Sequence, residues 1–155
     1  MPSGLFVAFV SGTLWGILGA ACAAPWFGPA AWAACLTGPF AGLGVAALHR
    51  RLAPRRVRDL LPVATITLTL TAATFATVAQ VVAELRAAPV PLYSPGPLTQ
   101  ATGTWGSLTR VLVTPGYVVV LGWMSGLFVL LWPVALVTHF VYFLAADPPP
   151  SEDKS

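Results

Sequence analysis

Two histidines are the residues of this 155-residue chain that could do chemistry in an apolar environment. His139 lies within a long apolar segment, six residues after Pro133, and His49 ends another such segment, directly before Arg50. An ionisable side chain in such a segment is costly, so it indicates a functional site. Two imidazoles on separate helices could hold a haem or a chlorophyll, because imidazole is a common ligand. Alternatively, His139 bonds a backbone carbonyl or the hydroxyl of Thr138.

A second group of polar residues follows one helix face. Thr67, Thr71 and Thr74 are spaced by four and three residues, which places them on the same side of a helix. Gln80 and Glu84 continue this pattern toward the end of the same segment. The face could line a polar pathway through a membrane. Alternatively, each threonine bonds the carbonyl four residues before it, and the face is inert.

Motifs for catalysis and metal binding are missing from the sequence. Glu84 lies about 36 Å along a helix from Leu60, so we expect it at a membrane interface near Arg86 rather than in a proton relay. There is no GxSxG, HExxH or P-loop motif. Cys22 and Cys35 fit no zinc or CxxC spacing, and form either a disulfide or two free thiols. We therefore predict that the chain is not an enzyme and binds no metal.

Three pairs of glycines have the GxxxG spacing that lets membrane helices approach closely. The pairs lie on three different apolar segments: Gly12 and Gly16, Gly38 and Gly42, and Gly122 and Gly126. Such a stripe either packs helices within one chain or contacts another copy or another membrane protein, and the sequence leaves both alternatives open.

Four long apolar runs carry these residues. They cover residues 5–24, 29–48, 60–85 and 116–144. A helix needs about 20 residues to cross the roughly 30 Å of hydrocarbon in a bilayer, and continuous runs without alternation exclude a β-barrel. The composition agrees, because 57% of the residues are hydrophobic and 8% are charged, against about 25% charged in soluble domains. We expect an all-α, integral membrane four-helix bundle.

The connections between these runs differ in length. Residues 25–28 form a short turn, whereas residues 86–115 form a long loop that is rich in proline. Within that loop, residues 104–112 have the apolar spacing of a short interfacial helix. The polar tail, residues 147–155, is expected to be disordered. The small residues around Cys22 also resemble a signal-peptide cleavage site, and cleavage there would leave three spans.

The turn between the second and third spans holds five of the eight basic residues. They are Arg50, Arg51, Arg55, Arg56 and Arg58. Basic loops stay in the cytoplasm and contact anionic lipids. Four spans then place both termini in the cytoplasm and the long loop outside, and the scarcity of lysine and asparagine suggests a bacterial inner membrane. A compact basic turn lacks the spread-out basic face that binds nucleic acid, so we expect no such partner.

Three functions are compatible with these features. The first is an accessory, scaffold or assembly subunit that docks on a larger membrane complex through its glycine faces. The second is a small oligomeric transporter or channel, with the threonine face and His139 along its pathway. The third is a haem- or pigment-binding subunit with His139 and His49 as ligands. The first two require no cofactor. The expected partners are the lipid bilayer and other membrane subunits or further copies of the chain.

Overall fold

The structure is a computed structural model that describes residues 2–52, 56–86 and 103–145. Every regular element in these ranges is a helix, which confirms the all-α prediction. The α-helices of the described chain are α1 (Pro2–Phe27), α2 (Pro29–Ala34), α3 (Gly38–Leu52), α4 (Leu60–Leu85), α5 (Gly103–Met124) and α6 (Leu127–Ala145). Short 3-10 helices, Cys35–Thr37 and Val57–Asp59, precede α3 and α4. The predicted disordered tail and residues 87–102 of the long loop lie outside the described residues.

Five helical stretches of the described chain are long and apolar enough to cross a membrane. They are Gly4–Phe27, Pro29–Leu52, Val57–Leu85, Gly103–Met124 and Leu127–Leu144. Their outer surfaces carry large exposed apolar side chains, among them Phe40, Leu112 and Leu130. A continuous surface of this kind is suited to hydrocarbon rather than to water, so the chain is a membrane protein.

The predicted fourth span, residues 116–144, is not one helix. The helix is interrupted at Gly126, whose φ of 77° lies in the left-handed region that glycine adopts without strain. α5 ends before this break and α6 begins after it. Because α5 begins at Gly103, the last part of the predicted loop is helical. The interfacial helix expected over 104–112 is therefore the first part of a longer helix.

The second predicted span is also interrupted, close to its beginning. Pro39 has no N–H to donate to the Cys35 carbonyl, and its ring crowds that carbonyl. The chain accordingly forms a 3-10 turn over Cys35–Thr37 before α3 begins. Cys22 and Cys35 are free thiols, so of the two alternatives for the cysteines the structure has the second.

Glycines bring α1 and α3 into direct backbone contact. A Cβ atom added to Gly12 would lie 2.3 Å from the Gly38 carbonyl oxygen, and one added to Gly42 would lie 2.2 Å from the Ala8 carbonyl oxygen. A Cβ atom on Gly16 would lie 3.0 Å from the Cα of Gly38. All three distances are shorter than the 3.4 Å at which ordinary contacts begin. These glycines therefore pack two helices within the chain.

The third glycine pair has two separate roles. A Cβ atom on Gly122 would lie 2.5 Å from the ring of Phe128, so this glycine makes room for an aromatic side chain of the next helix. Gly126 has nothing within 4 Å of its Cβ position and instead provides the break between α5 and α6.

α5 and α6 contact different halves of α4. Ser107 and Arg110 of α5 bond to Glu84, near the end of α4. Trp132 of α6 donates a hydrogen bond to Thr65, near the beginning of α4. The two helices are therefore arranged end to end along α4 rather than side by side.

The beginning of α4, the end of α3 and the end of α6 lie together at one end of the structure, which we call the basic end. His49 of α3 contacts His139 of α6 there, and Tyr142 of α6 contacts Ser11 of α1. Arg50 follows His49 directly. The opposite end, near Glu84, we call the far end.

Candidate functional site

His49 and His139 meet inside the basic end. Their Nδ1 atoms lie 3.0 Å apart, and their rings are nearly parallel, with centroids 5.2 Å apart and 9° between the planes. The side chains are almost fully buried, with exposed fractions of 5% and 1%. Two residues that the sequence places on different helices at similar depth are thus in direct hydrogen-bond contact.

The hydroxyl of Thr67 holds the other side of His139. It lies 2.6 Å from Nε2 of His139, and it also lies 2.8 Å from the Val63 carbonyl oxygen and 3.2 Å from that of Ala64. A hydroxyl has one hydrogen to donate. When the hydrogen goes to a carbonyl, Nε2 of His139 must carry a hydrogen and donate it to the hydroxyl.

This arrangement determines where the remaining hydrogens lie. With a hydrogen on Nε2, a neutral His139 has a bare Nδ1, so Nδ1–H of His49 donates to it. In the reverse arrangement, Thr67 donates to His139, and Nδ1–H of His139 donates to His49. Both arrangements use the same heavy-atom positions and differ only in where the hydrogens sit. The three residues form a chain along which hydrogens can shift.

The histidine pair can accept one proton without losing its hydrogen bond. A proton added to Nε2 of His49 leaves the contact between the two Nδ1 atoms intact. A second proton would place hydrogens on both Nδ1 atoms, which would then oppose each other at 3.0 Å. The geometry therefore fits the neutral and singly protonated pair and does not fit the doubly protonated pair.

Tyr142 and Ser11 complete the cluster. The ring of Tyr142 meets His49 and His139 edge-on, with centroids 5.8 Å and 5.9 Å away, and its hydroxyl bonds to Ser11. Helices α1, α3, α4 and α6 thus each contribute a polar side chain. Across the described chain, no buried side-chain nitrogen or oxygen lacks a hydrogen-bond partner. A fully satisfied polar network of this kind favours one well-defined packing.

The same contact bears on the haem hypothesis. The two Nδ1 atoms face each other at hydrogen-bond distance, so neither a metal nor a macrocycle fits between His49 and His139 in this arrangement. Ligation of one haem by both imidazoles would require the rings to separate. Among the described residues, no group of three or more His, Cys, Asp or Glu side chains could hold a metal ion.

The threonines of α4 behave differently from one another. Most bond the carbonyl four residues earlier: Thr65, Thr67, Thr69, Thr74 and Thr77. Thr71 is the exception on this fully described helix, because its hydroxyl has no hydrogen bond within the structure and borders two cavities. The predicted threonine face thus has three roles. Thr67 bonds His139 and lines the smaller cavity, Thr71 borders both cavities, and Thr74 is partly exposed and lines the larger one.

Two adjoining cavities lead from the histidine pair toward the middle of the bundle. The smaller has a volume of about 40 Å³ and borders His139 and Tyr142, which is room for one to about three water molecules. The larger, of about 240 Å³, lies among α1, α3, α4, the end of α5 and the beginning of α6. Leu68 and Thr71 border both cavities.

The far end holds a second polar cluster. Arg110 donates from Nε to Oε1 of Glu84 at 2.6 Å and from Nη2 to Oε2 at 2.9 Å. Gln80 and Ser107 donate to the same carboxylate at 2.7 Å and 2.8 Å. Glu84 was expected at a membrane interface near Arg86, and its ion-pair partner in the structure is Arg110. Arg110 belongs to α5, and no spacing pattern in the sequence predicts that α5 lies beside the end of α4. The cluster fastens α5 to α4.

The basic turn lies at the surface. Its described arginines are exposed: Arg50, Arg51, Arg56 and Arg58. Arg55 lies outside the described residues. The backbone N–H of Arg56 donates to the Asp59 carboxylate at 3.0 Å, which holds the turn that leads into α4. None of these described arginines forms a hydrogen bond with the histidine cluster.

No protein-family model, curated protein or solved structure matches the chain. What the site does is therefore inferred from its own contacts. Three features of the site matter most: the hydrogen bond between the two imidazoles, the Thr67 hydroxyl that bonds His139, and the cavities beside them.

Proposed function

We propose that this chain is a small membrane transporter that conducts protons across the bilayer. The observation that carries the proposal is the buried hydrogen bond between His49 and His139, supported by Thr67 and bordered by cavities. Imidazole is the side chain that gains and loses a proton near neutral pH. Ionisable groups within membrane helices commonly mark pathways for ions or solutes. A pair that accepts one proton and not two is suited to moving protons singly.

In this proposal, α5 and α6 together form one discontinuous crossing. Their end-to-end arrangement along α4 supports this, as does the break at Gly126, close to the larger cavity. Interrupted helices beside a central site are typical of transporters. The chain then crosses the membrane four times. The charge of the basic turn favours a cytoplasmic location for the basic end and for both termini, in a bacterial inner membrane.

The proposed path for the proton begins at the basic end. His49 lies in the last turn of α3, so its buried ring is near the end of the bundle that carries the exposed arginines. The proton passes to His139 through the contact between the Nδ1 atoms and reaches the smaller cavity. A solute in the larger cavity touches α1, α3, α4 and α6, the helices that hold the histidine cluster. Binding of solute and binding of proton therefore depend on the same packing.

The accessory-subunit hypothesis has less support from this geometry. Gly12, Gly16, Gly38 and Gly42, which were expected to form docking faces, contact one another within the chain. The remaining outer surface is apolar, and lipid alone can cover it. Docking on other subunits stays a prediction, but these four glycines do not form the docking face.

Proton entry into liposomes tests the proposal. We would reconstitute the chain in vesicles of bacterial lipid extract loaded with the pH indicator pyranine. A valinomycin-induced potassium gradient would make the interior negative. The expected result is faster internal acidification with the wild-type protein than with His139→Gln or His49→Gln. Glutamine keeps hydrogen-bonding groups but carries no titratable proton.

A matched pair of threonine variants provides the control. Thr67→Val removes the hydroxyl that bonds His139, whereas Thr69→Val removes a hydroxyl that bonds only the Thr65 carbonyl. We expect slower proton entry with the first variant and no change with the second. Equal rates for the wild-type protein and both histidine variants, all properly folded, would refute the proposal.

A further inference from the structure

The chemistry of the larger cavity limits what can occupy it. None of the described residues that line it carries a charge. Its walls are largely aromatic and aliphatic, with the side chains of Trp15, Phe75 and Phe128 among them. Transferring an ion or a heavily hydroxylated molecule into such a space is costly, because its polar groups would lose water without gaining partners. The occupant must therefore be neutral and mainly hydrocarbon.

Of the described hydroxyl groups that line this cavity, that of Thr71 is open to a ligand. The hydroxyl of Thr71 borders the cavity and forms no hydrogen bond with any described residue. The indole N–H of Trp15 already donates to Thr138, and the hydroxyl of Ser125 donates to the Gly122 carbonyl. Thr71 can therefore donate to, or accept from, one oxygen of a bound molecule.

We propose that the larger cavity binds a neutral lipophilic molecule that bears a hydroxyl or carbonyl oxygen, and that this oxygen bonds to Thr71. The inference deepens the proposed function and rests on it, because it names the class of solute that the transporter would take. Thr71 also borders the smaller cavity beside His139, so the oxygen of the ligand would lie next to the proton site.

The native cysteines provide a reporter for occupancy. Cys22 lines the larger cavity, whereas Cys35 does not, and both are free thiols. We would follow their reaction with N-ethylmaleimide by mass spectrometry, using detergent-purified protein and 1-naphthalenemethanol as the probe. The expected result is concentration-dependent protection of Cys22 with little change at Cys35. A naphthalene ring resembles the aromatic walls in size, and its alcohol supplies the oxygen.

Two comparisons test the role of the oxygen. 1-Methylnaphthalene, which lacks the oxygen, and the charged 1-naphthylmethylammonium ion should both protect Cys22 less. Thr71→Val should raise the half-protecting concentration of the alcohol about two- to tenfold, the usual worth of one neutral hydrogen bond. Thr77→Val, at a threonine that lines neither cavity and bonds the Ala73 carbonyl, should leave that concentration unchanged.

Three results would overturn the inference. The first is equal protection of Cys22 and Cys35. The second is equal protection of Cys22 by the alcohol and the hydrocarbon, which would assign the cavity to lipid chains. The third is an unchanged half-protecting concentration in Thr71→Val. The measurement uses no membrane potential. Proton transport without selective protection would therefore refute this inference alone, and selective protection without proton transport would refute the proposed function alone.

Discussion

Replacing Gly42 by alanine tests the backbone contact between α1 and α3. The new Cβ atom would lie 2.2 Å from the Ala8 carbonyl oxygen, whereas ordinary contacts begin at 3.4 Å. The helices must therefore separate by roughly 1 Å. Forcing extra atoms into a packed contact costs about 1–3 kcal/mol. Because His49 lies two turns farther along α3, the separation would also weaken its contact with His139.

Gly44→Ala is the matched control for this change. Gly44 lies on the same helix, and nothing lies within 4 Å of its Cβ position. Both variants gain the same helix propensity, up to about 1 kcal/mol, so their difference reports the packing cost alone. We would measure unfolding in mixed micelles of dodecyl maltoside and SDS by circular dichroism. We expect Gly42→Ala to be less stable than Gly44→Ala by about 1–3 kcal/mol. A difference below about 0.5 kcal/mol, the usual effect of a surface substitution, would refute the packing account.

Two further predictions concern the far end and the topology. Arg110→Gln should lower the free energy of unfolding by about 1–3 kcal/mol, because the Glu84 carboxylate stays largely buried without its partner. This range lies between the values for exposed and for buried ion pairs. Arg86→Gln, the control, should have almost no effect in the same micelle assay. In intact cells, with both native cysteines replaced by alanine, cysteines introduced at Arg56 and Ser151 should be protected from an impermeant thiol reagent, and one at Ser94 should react. Labelling at Ser151 from outside would contradict the discontinuous crossing and support five crossings.

Helices were predictable where the length of an apolar run decides the structure. The third predicted span, 60–85, matches α4, and the first, 5–24, lies within α1. The break at Gly126 was not predictable, since the residues on both sides are equally apolar. Its GxxxG spacing with Gly122 suggested a packing stripe, although one glycine accommodates a ring and the other adopts a left-handed φ.

The centre of the candidate site was partly predictable. His139 stands out because an imidazole is rare in such an apolar segment, and Thr67 belongs to a recognisable polar face. Ser11 and Tyr142 were missed, because hydroxyl side chains are common on membrane helices. Nothing in the spacing of two residues that are 131 positions apart indicates that they touch. Such contacts depend on helix crossing angles, which hydropathy does not encode.

Nitrogen NMR of the two imidazoles tests the central claim most directly. The chain has only two histidines, so ¹⁵N-histidine labelling gives signals from this pair alone. We predict a scalar coupling across the hydrogen bond between the two Nδ1 nuclei, with one nitrogen protonated and the other bare. The coupling should survive uptake of the first proton on acidification and disappear with the second. Two uncoupled imidazoles that titrate independently would contradict the buried proton site.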